Sequence, residues 1–112
     1  MDFFNKIKKS FELKQNNPSS ESLEKTEKKI LILKKQFDLE PTNSKILIEL
    51  YACYVELSDL ENKIQCLKKL SNILPHDFYP FQQLADIYLN ELNDKDEAQI
   101  YQSKANDLKN NF

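Results

Sequence analysis

Glycine is absent from all 112 residues, and that absence removes a whole class of chemistry. The Gly-rich cradles of P-loops and dinucleotide folds need backbone conformations and close phosphate approaches that only glycine permits. Arginine is absent as well, so all sixteen basic residues are lysines and no planar fork is present to read guanine edges or clamp phosphates in two-pronged fashion. With a formal net charge of -2, nucleic acid is not an expected ligand. Long apolar runs are missing too. The longest aliphatic stretch is the four residues Ile30 to Leu33, far short of the roughly 20 that a spanning helix requires. The first residues interleave lysine with phenylalanine and do not follow the basic, apolar and cleavage regions of a secretory signal, so the chain is expected to be unprocessed and cytoplasmic.

The residues that usually carry chemistry are equally sparse. Cys53 and Cys66 lack the spacing of a zinc site and are expected to be reduced and buried. His76, the one histidine, follows Pro75 in a turn and has no second histidine with which to share a metal. Asp94, Asp96 and Glu97 lack the alternating oxygen ligands and central glycine of a calcium loop, and are better explained as acids favoured at a helix start. Catalysis needs groups converging in a pocket, and no such set is legible. The expectation is a protein that is not an enzyme and takes no cofactor and no metal.

What the chain does contain is helical periodicity. Residues 2 to 14 place Phe3, Phe4, Ile7 and Phe11 on one face of a 3.6-residue wheel, a short amphipathic helix. A loop-like run from Gln15 to Ser20 follows. From about Glu21 to Leu39, Leu23, Ile30, Leu33 and Phe37 share a face, and Pro41 ends that segment. Thr42 or Asn43 then caps a helix bearing Ile46, Leu47, Leu50, Tyr51, Tyr54 and Leu57. Ser58 and Glu61 have capping-box spacing before Leu60, Ile64, Leu67 and Leu70. Asp77 caps the next helix, with Pro80 tolerated in its first turn, and Phe81, Leu84, Ile87, Tyr88 and Leu92 follow. A last helix opens at Asp94 to Glu97 and carries Ala98, Tyr101, Ala105 and Leu108. No segment alternates as a strand would. The prediction is an all-α fold of about six helices, with residues 1–20 an N-terminal helix and loop and 21–112 a repeat region within one domain.

The segments repeat. Leu47, Leu50, Tyr51 and Tyr54 recur 34 residues later as Phe81, Leu84, Ala85 and Tyr88, while Pro41 recurs as Pro75. These residues resemble the tetratricopeptide repeat, whose 34-residue unit is a pair of antiparallel helices with a Trp-x-x-Leu-Gly-x-x-Tyr signature. Leu47-x-x-Leu50-Tyr51-x-x-Tyr54 and Phe81-x-x-Leu84-Ala85-x-x-Tyr88 stand at that signature, and Ala98 and Ala105 stand at the small positions of the second helix. Tyr51 and Lys63 depart from it, standing where glycine or alanine and alanine are usual. The resemblance covers roughly residues 30–108. It implies a right-handed superhelical array of helix pairs, here 2–39, 43–74 and 77–109, since one pair cannot bury its apolar face alone. A helical bundle of other topology is the alternative.

The resemblance also implies a function: a protein–protein interaction module, an adaptor or assembly subunit that receives an extended peptide or a helix. Carried over by position, the groove would hold Lys45, Ile48, Ala52, Val55 and Glu56 from one helix, and Tyr79, Gln82, Asp86, Leu89 and Asn90 from the next. Family members that clamp carboxylate tails use lysine and asparagine where this chain has Ile48 and Ala52, so that specificity is not expected. A second reading makes the chain a peripheral membrane attachment factor, with Phe3, Phe4, Ile7 and Phe11 as its docking face on anionic lipid.

Overall fold

The computed structural model describes residues 20–110, and these are helical, with no strand among them. Five helices follow in order: α1 Ser20–Leu39, α2 Ser44–Glu56, α3 Leu60–Ile73, α4 Phe78–Asn90 and α5 Lys95–Asn110. The helix expected over residues 2–14 lies outside the described residues. Contacts divide the chain into two units, the first ending at Cys66 and the second starting at Leu67, so α3 contributes to both. The long α-helical reach of α1 and α5 needs no glycine. Every tight reversal, in contrast, has to be made by some other residue.

Two of those reversals are the same device used twice. After α1, the Asn43 N–H donates to the Glu40 carbonyl at 3.0 Å, and after α3 the Asp77 N–H donates to the Leu74 carbonyl at 3.1 Å. Asn43 and Asp77, 34 residues apart, then cap α2 and α4 from extended backbone, accepting at Oδ1 from Lys45 N–H and Tyr79 N–H, each at 3.0 Å. An acceptor at this position satisfies amides that have no helical partner, worth about 1 kcal/mol per cap. Pro80 sits buried in the first turn of α4, where no helical bond is lost.

The turns inside the hairpins differ from expectation. Ser58 is not the cap of α3. It adopts φ 56° as the residue that closes α2, with Ser58 N–H donating to the Val55 carbonyl at 3.1 Å and Asp59 N–H to the Tyr54 carbonyl at 2.9 Å, the paired bonds of a Schellman ending. Asp59 is the true cap, accepting from Asn62 N–H at 3.2 Å. The left-handed residue of the later turn is Asn93, with φ 52°, and Asp94 caps α5 by accepting from Glu97 N–H at 3.1 Å. Asp59 and Asp94 are 35 residues apart, one more than the 34-residue period, and the additional residue is absorbed in this turn, where Asp94 N–H reaches back to the Tyr88 carbonyl at 2.7 Å.

In the first unit, α1 packs on α2, and Ile30, Leu33, Leu47, Leu50, Tyr51, Cys53 and Tyr54 are buried. In the second, α4 packs on α5, with Leu70, Leu84, Ala85, Ala98 and Ala105 buried. Removing one such leucine from water contributes roughly 1.5–3 kcal/mol. Alanine at 98 and 105 gives α4 room to approach α5 closely, the reason small residues recur there.

Candidate functional site

The five α4 positions expected to line a groove begin at a fixed end. Asp77 holds the Tyr79 N–H, and the Tyr79 ring stacks on Phe78 with centroids 4.7 Å apart and planes 21° apart. Lys109 of α5 lies 5.1 Å over the Phe78 ring, close enough for a cation–π attraction. Tyr79 is half-buried, while Leu89 and Asn90 at the other end are exposed.

Gln82, between them, is fully engaged. Its Nε2 donates to Gln102 Oε1 at 2.8 Å and to Asp86 Oδ1 at 3.1 Å. Its Oε1 accepts from Gln102 Nε2 at 2.9 Å and from Lys109 Nζ at 2.7 Å. A side-chain amide has two donors and two acceptor sites, so Gln82 has none left for a partner. Its role is to tie α4 to α5, and Gln102 passes the chain of amides on to Asn106 Oδ1 at 3.0 Å. The other expected α4 positions are Tyr79 and Asp86, half-buried, and Leu89 and Asn90, exposed.

The α2 positions divide in the same way. Lys45 is exposed, and Ala52 and Val55 are half-buried. Ile48 is only 3% exposed, which makes it a core side chain and takes it out of the accessible set. The signature residue Leu47 beside it is buried as expected, so the apolar face of α2 is wider than the signature positions alone. Glu56 is half-buried and already held: Thr26 Oγ1 donates to its Oε2 at 2.8 Å and Ser22 Oγ to its Oε1 at 3.4 Å. Neither Ser22 nor Thr26 was among the expected functional residues. The available signal was Thr26 itself, a polar residue on the α1 face defined by Leu23, Ile30 and Leu33.

No group of three or more metal-ligating side chains converges among the described residues. Both cysteines are free and buried. Burial pushes the Cys53 thiol up from its ordinary value against the opposing pull of Lys29, which disfavours the thiolate a nucleophile requires. Tyr88 stacks on Tyr101 with centroids 5.5 Å apart. A hydrogen bond with Tyr88 raises Lys68, and desolvation raises Tyr101. Such shifts stabilise the charged lysine and the neutral phenol, and accord with a structural rather than a proton-transferring pair. His76 is exposed in its turn. No helix among the described residues is long and apolar enough to cross a membrane.

Comparison with known proteins adds no relative: no family model, curated protein or solved structure matches this chain. The functional reading therefore rests on the chain's own geometry.

Proposed function

We propose that this chain is a non-enzymatic protein–protein interaction module of tetratricopeptide-like helix pairs, acting as an adaptor or an assembly subunit. One observation carries the reading: the turn-and-cap device at Glu40–Asn43 returns 34 residues later at Leu74–Asp77 with the same bonds. A period that fixes backbone geometry as well as sequence is the mark of a repeat array, and such arrays expose extended helix rows suited to peptides or helices. Tyr79, Asp86, Leu89 and Asn90 form the row offered to the partner, with Lys45, Ala52 and Val55 as the corresponding set on α2. The membrane reading depends on Phe3, Phe4, Ile7 and Phe11, which lie outside the described residues.

Affinity capture from the native cell with the whole chain as bait tests the proposal, alongside a Tyr79→Ala, Leu89→Ser, Asn90→Ala variant. The expected result is a protein partner retained by the parent and lost by the variant, both melting at similar temperatures. Equal retention by the folded variant would refute the assignment of this row.

A further inference from the structure

Two exposed helix stripes, one in each unit, have the same spacing and opposite charge. On α1 the stripe is Lys28, Ile32, Lys35 and Leu39, and on α5 it is Asp96, Ile100, Ser103 and Asp107. Each advances by four, three and four residues, the steps that keep side chains on one side of a helix. All of these residues are exposed, with Ile32 at 59%, Leu39 at 84% and Ile100 at 62%. The buried faces lie elsewhere on the same helices, at Thr26, Ile30 and Leu33 of α1 and at Ala98, Ala105 and Leu108 of α5. No acid stands on the α1 stripe and no lysine on the α5 stripe. Lys104, the residue after Ser103, leans over the Phe81 ring of its own unit, 5.9 Å from the centroid, and so leaves the α5 stripe acidic.

We propose that the two stripes are the halves of a self-association interface, α1 of one molecule docking antiparallel on α5 of a second copy. Placing Ile32 beside Ile100 sets the register. At 1.5 Å of rise per residue, Lys35 lies about 4.5 Å past Ile32 and Asp96 about 6 Å before Ile100, so in antiparallel helices these charges meet. Lys25, about 10.5 Å before Ile32, falls opposite Asp107, which is equally far past Ile100. Leu39 is carried towards the turn before α5, where Leu92 is 42% exposed. A parallel arrangement keeps one charge pair, Lys28 with Asp96, and sets Leu39 against Asp107. Lys25 and Lys28 already meet Glu21 at 4.0 Å and Glu24 at 3.7 Å, exposed pairs of the kind that contribute little and are readily exchanged. Charge also selects unlike faces over like ones. Two α1 stripes centred on Ile32 would oppose Lys28 with Lys35, and two α5 stripes hold carboxylates with no cation to receive them. A pairing of single helix faces belongs with the weak, transient interfaces below about 1,200 Å². Because the two faces differ, every dimer retains one open stripe of each kind, to which further copies add unless the assembly closes on itself.

The interface uses none of the α2 and α4 row positions, so it stands or falls separately from the partner-binding proposal. Sedimentation velocity of the whole chain up to about 1 mM, enough to register millimolar association, tests it. The average size should grow with concentration at about 0.1 M salt and shrink at about 1 M, where the screening length falls from about 10 Å to about 3 Å. Ile32→Ser with Lys35→Ser blanks the α1 stripe, and Ile100→Ser with Asp107→Ser blanks the α5 stripe. Each variant alone should associate at least about tenfold more weakly than the parent while keeping its helicity. Mixed, the two should recover the parent's affinity and stop at dimers, because one supplies an intact α5 and the other an intact α1. A parent that stays monomeric, association unchanged or strengthened by salt, a variant that associates as the parent does, or a mixture that remains monomeric would overturn the proposal. The salt series needs no substitution, so it decides the matter even where a variant does not fold.

Discussion

Thr26 and Glu56 offer the sharpest test of how the first unit is held. Thr26 is buried on α1, and its hydroxyl, 2.8 Å from Glu56 Oε2, also lies 3.0 Å from the Ser22 carbonyl. One proton serves both acceptors. A hydrogen bond to a charged group contributes about 1.5–3 kcal/mol, and the partial exposure of Glu56 brings the expectation to about 1–2 kcal/mol. Thr26→Val keeps the shape and removes the donor, so it should cost about that much. Glu56→Ala should cost less, about 1 kcal/mol, because the Thr26 hydroxyl falls back on the Ser22 carbonyl. The double variant should then be less damaged than the sum, with a coupling of about 1 kcal/mol by urea melts followed at 222 nm. Each kcal/mol corresponds to a shift of about 4 °C in Tm for a chain of this size. Additivity within about 0.3 kcal/mol would refute the claim that these two side chains form one interaction.

The remaining predictions are briefer. Ser58→Gly should stabilise by up to about 1 kcal/mol, because a left-handed serine carries a steric penalty that glycine lacks, whereas Asn93→Gly should be near neutral, asparagine being tolerated there; equal gains in denaturant midpoint would contradict this. Leu50→Asp should abolish the helical melt by burying an unpaired charge, a loss of more than about 4 kcal/mol, while Asp86→Ala, losing only its bond from Gln82, should cost about 1 kcal/mol or less. Similar loss of ellipticity in both would show that inside and outside have been exchanged. Stability should also fall in alkali. Cys53, Tyr54 and Tyr101 are all raised by burial above ordinary values of 9.0, 10.0 and 10.0, so between each ordinary value and the raised one the unfolded chain has lost a proton that the folded chain keeps. The stability is fully present below the ordinary values and is lost as pH rises through the raised ones, and a Tm that climbs above pH 9 would refute the burial account.

Helix beginnings were legible where an acceptor directly follows a turn: Asn43, Asp77 and Asp94 cap as their sequence neighbourhoods indicate. Ser58 is not legible as a helix ending because the left-handed position, usually glycine and sometimes asparagine as at Asn93, is filled here by a residue type that does not mark it. Serine takes that conformation here, and the neighbouring Asp59 inherits the cap. The core side of α1 was visible in Leu23, Ile30, Leu33 and Phe37, yet the exposure of Ile32 and Leu39 was not, since periodicity says which residues share a face and not whether anything covers it. Ile48 and Glu56 exposed the limit of positional analogy. The hydroxyl contacts of Glu56 come from Ser22 and Thr26, 34 and 30 residues away, separations that no local spacing encodes. Gln82 is the same case: its four hydrogen bonds go to three residues, Asp86 on α4 and Gln102 and Lys109 on α5, and only the folded pair brings them to one amide.

On the partner-binding reading, this network bears on how tightly the α4 row could bind. Recognition loses affinity when side chains must be ordered at the moment of contact, by about 0.5–1.5 kcal/mol for each mobile one. Tyr79 needs little such ordering: its N–H is held by Asp77, its ring lies on Phe78, and Phe78 lies under Lys109, which also bonds Gln82. Gln82 thus acts without touching a partner, by fixing Lys109 and hence the aromatic end of the row. An aromatic side chain positioned in advance is the kind of anchor around which interface energy concentrates. Leu89 and Asn90, exposed beyond it, would then supply fit and orientation. The partner best suited to such a row presents an apolar side chain to Tyr79 and Leu89 and a hydrogen-bond donor to Asp86, whose Oδ2 is not used by Gln82.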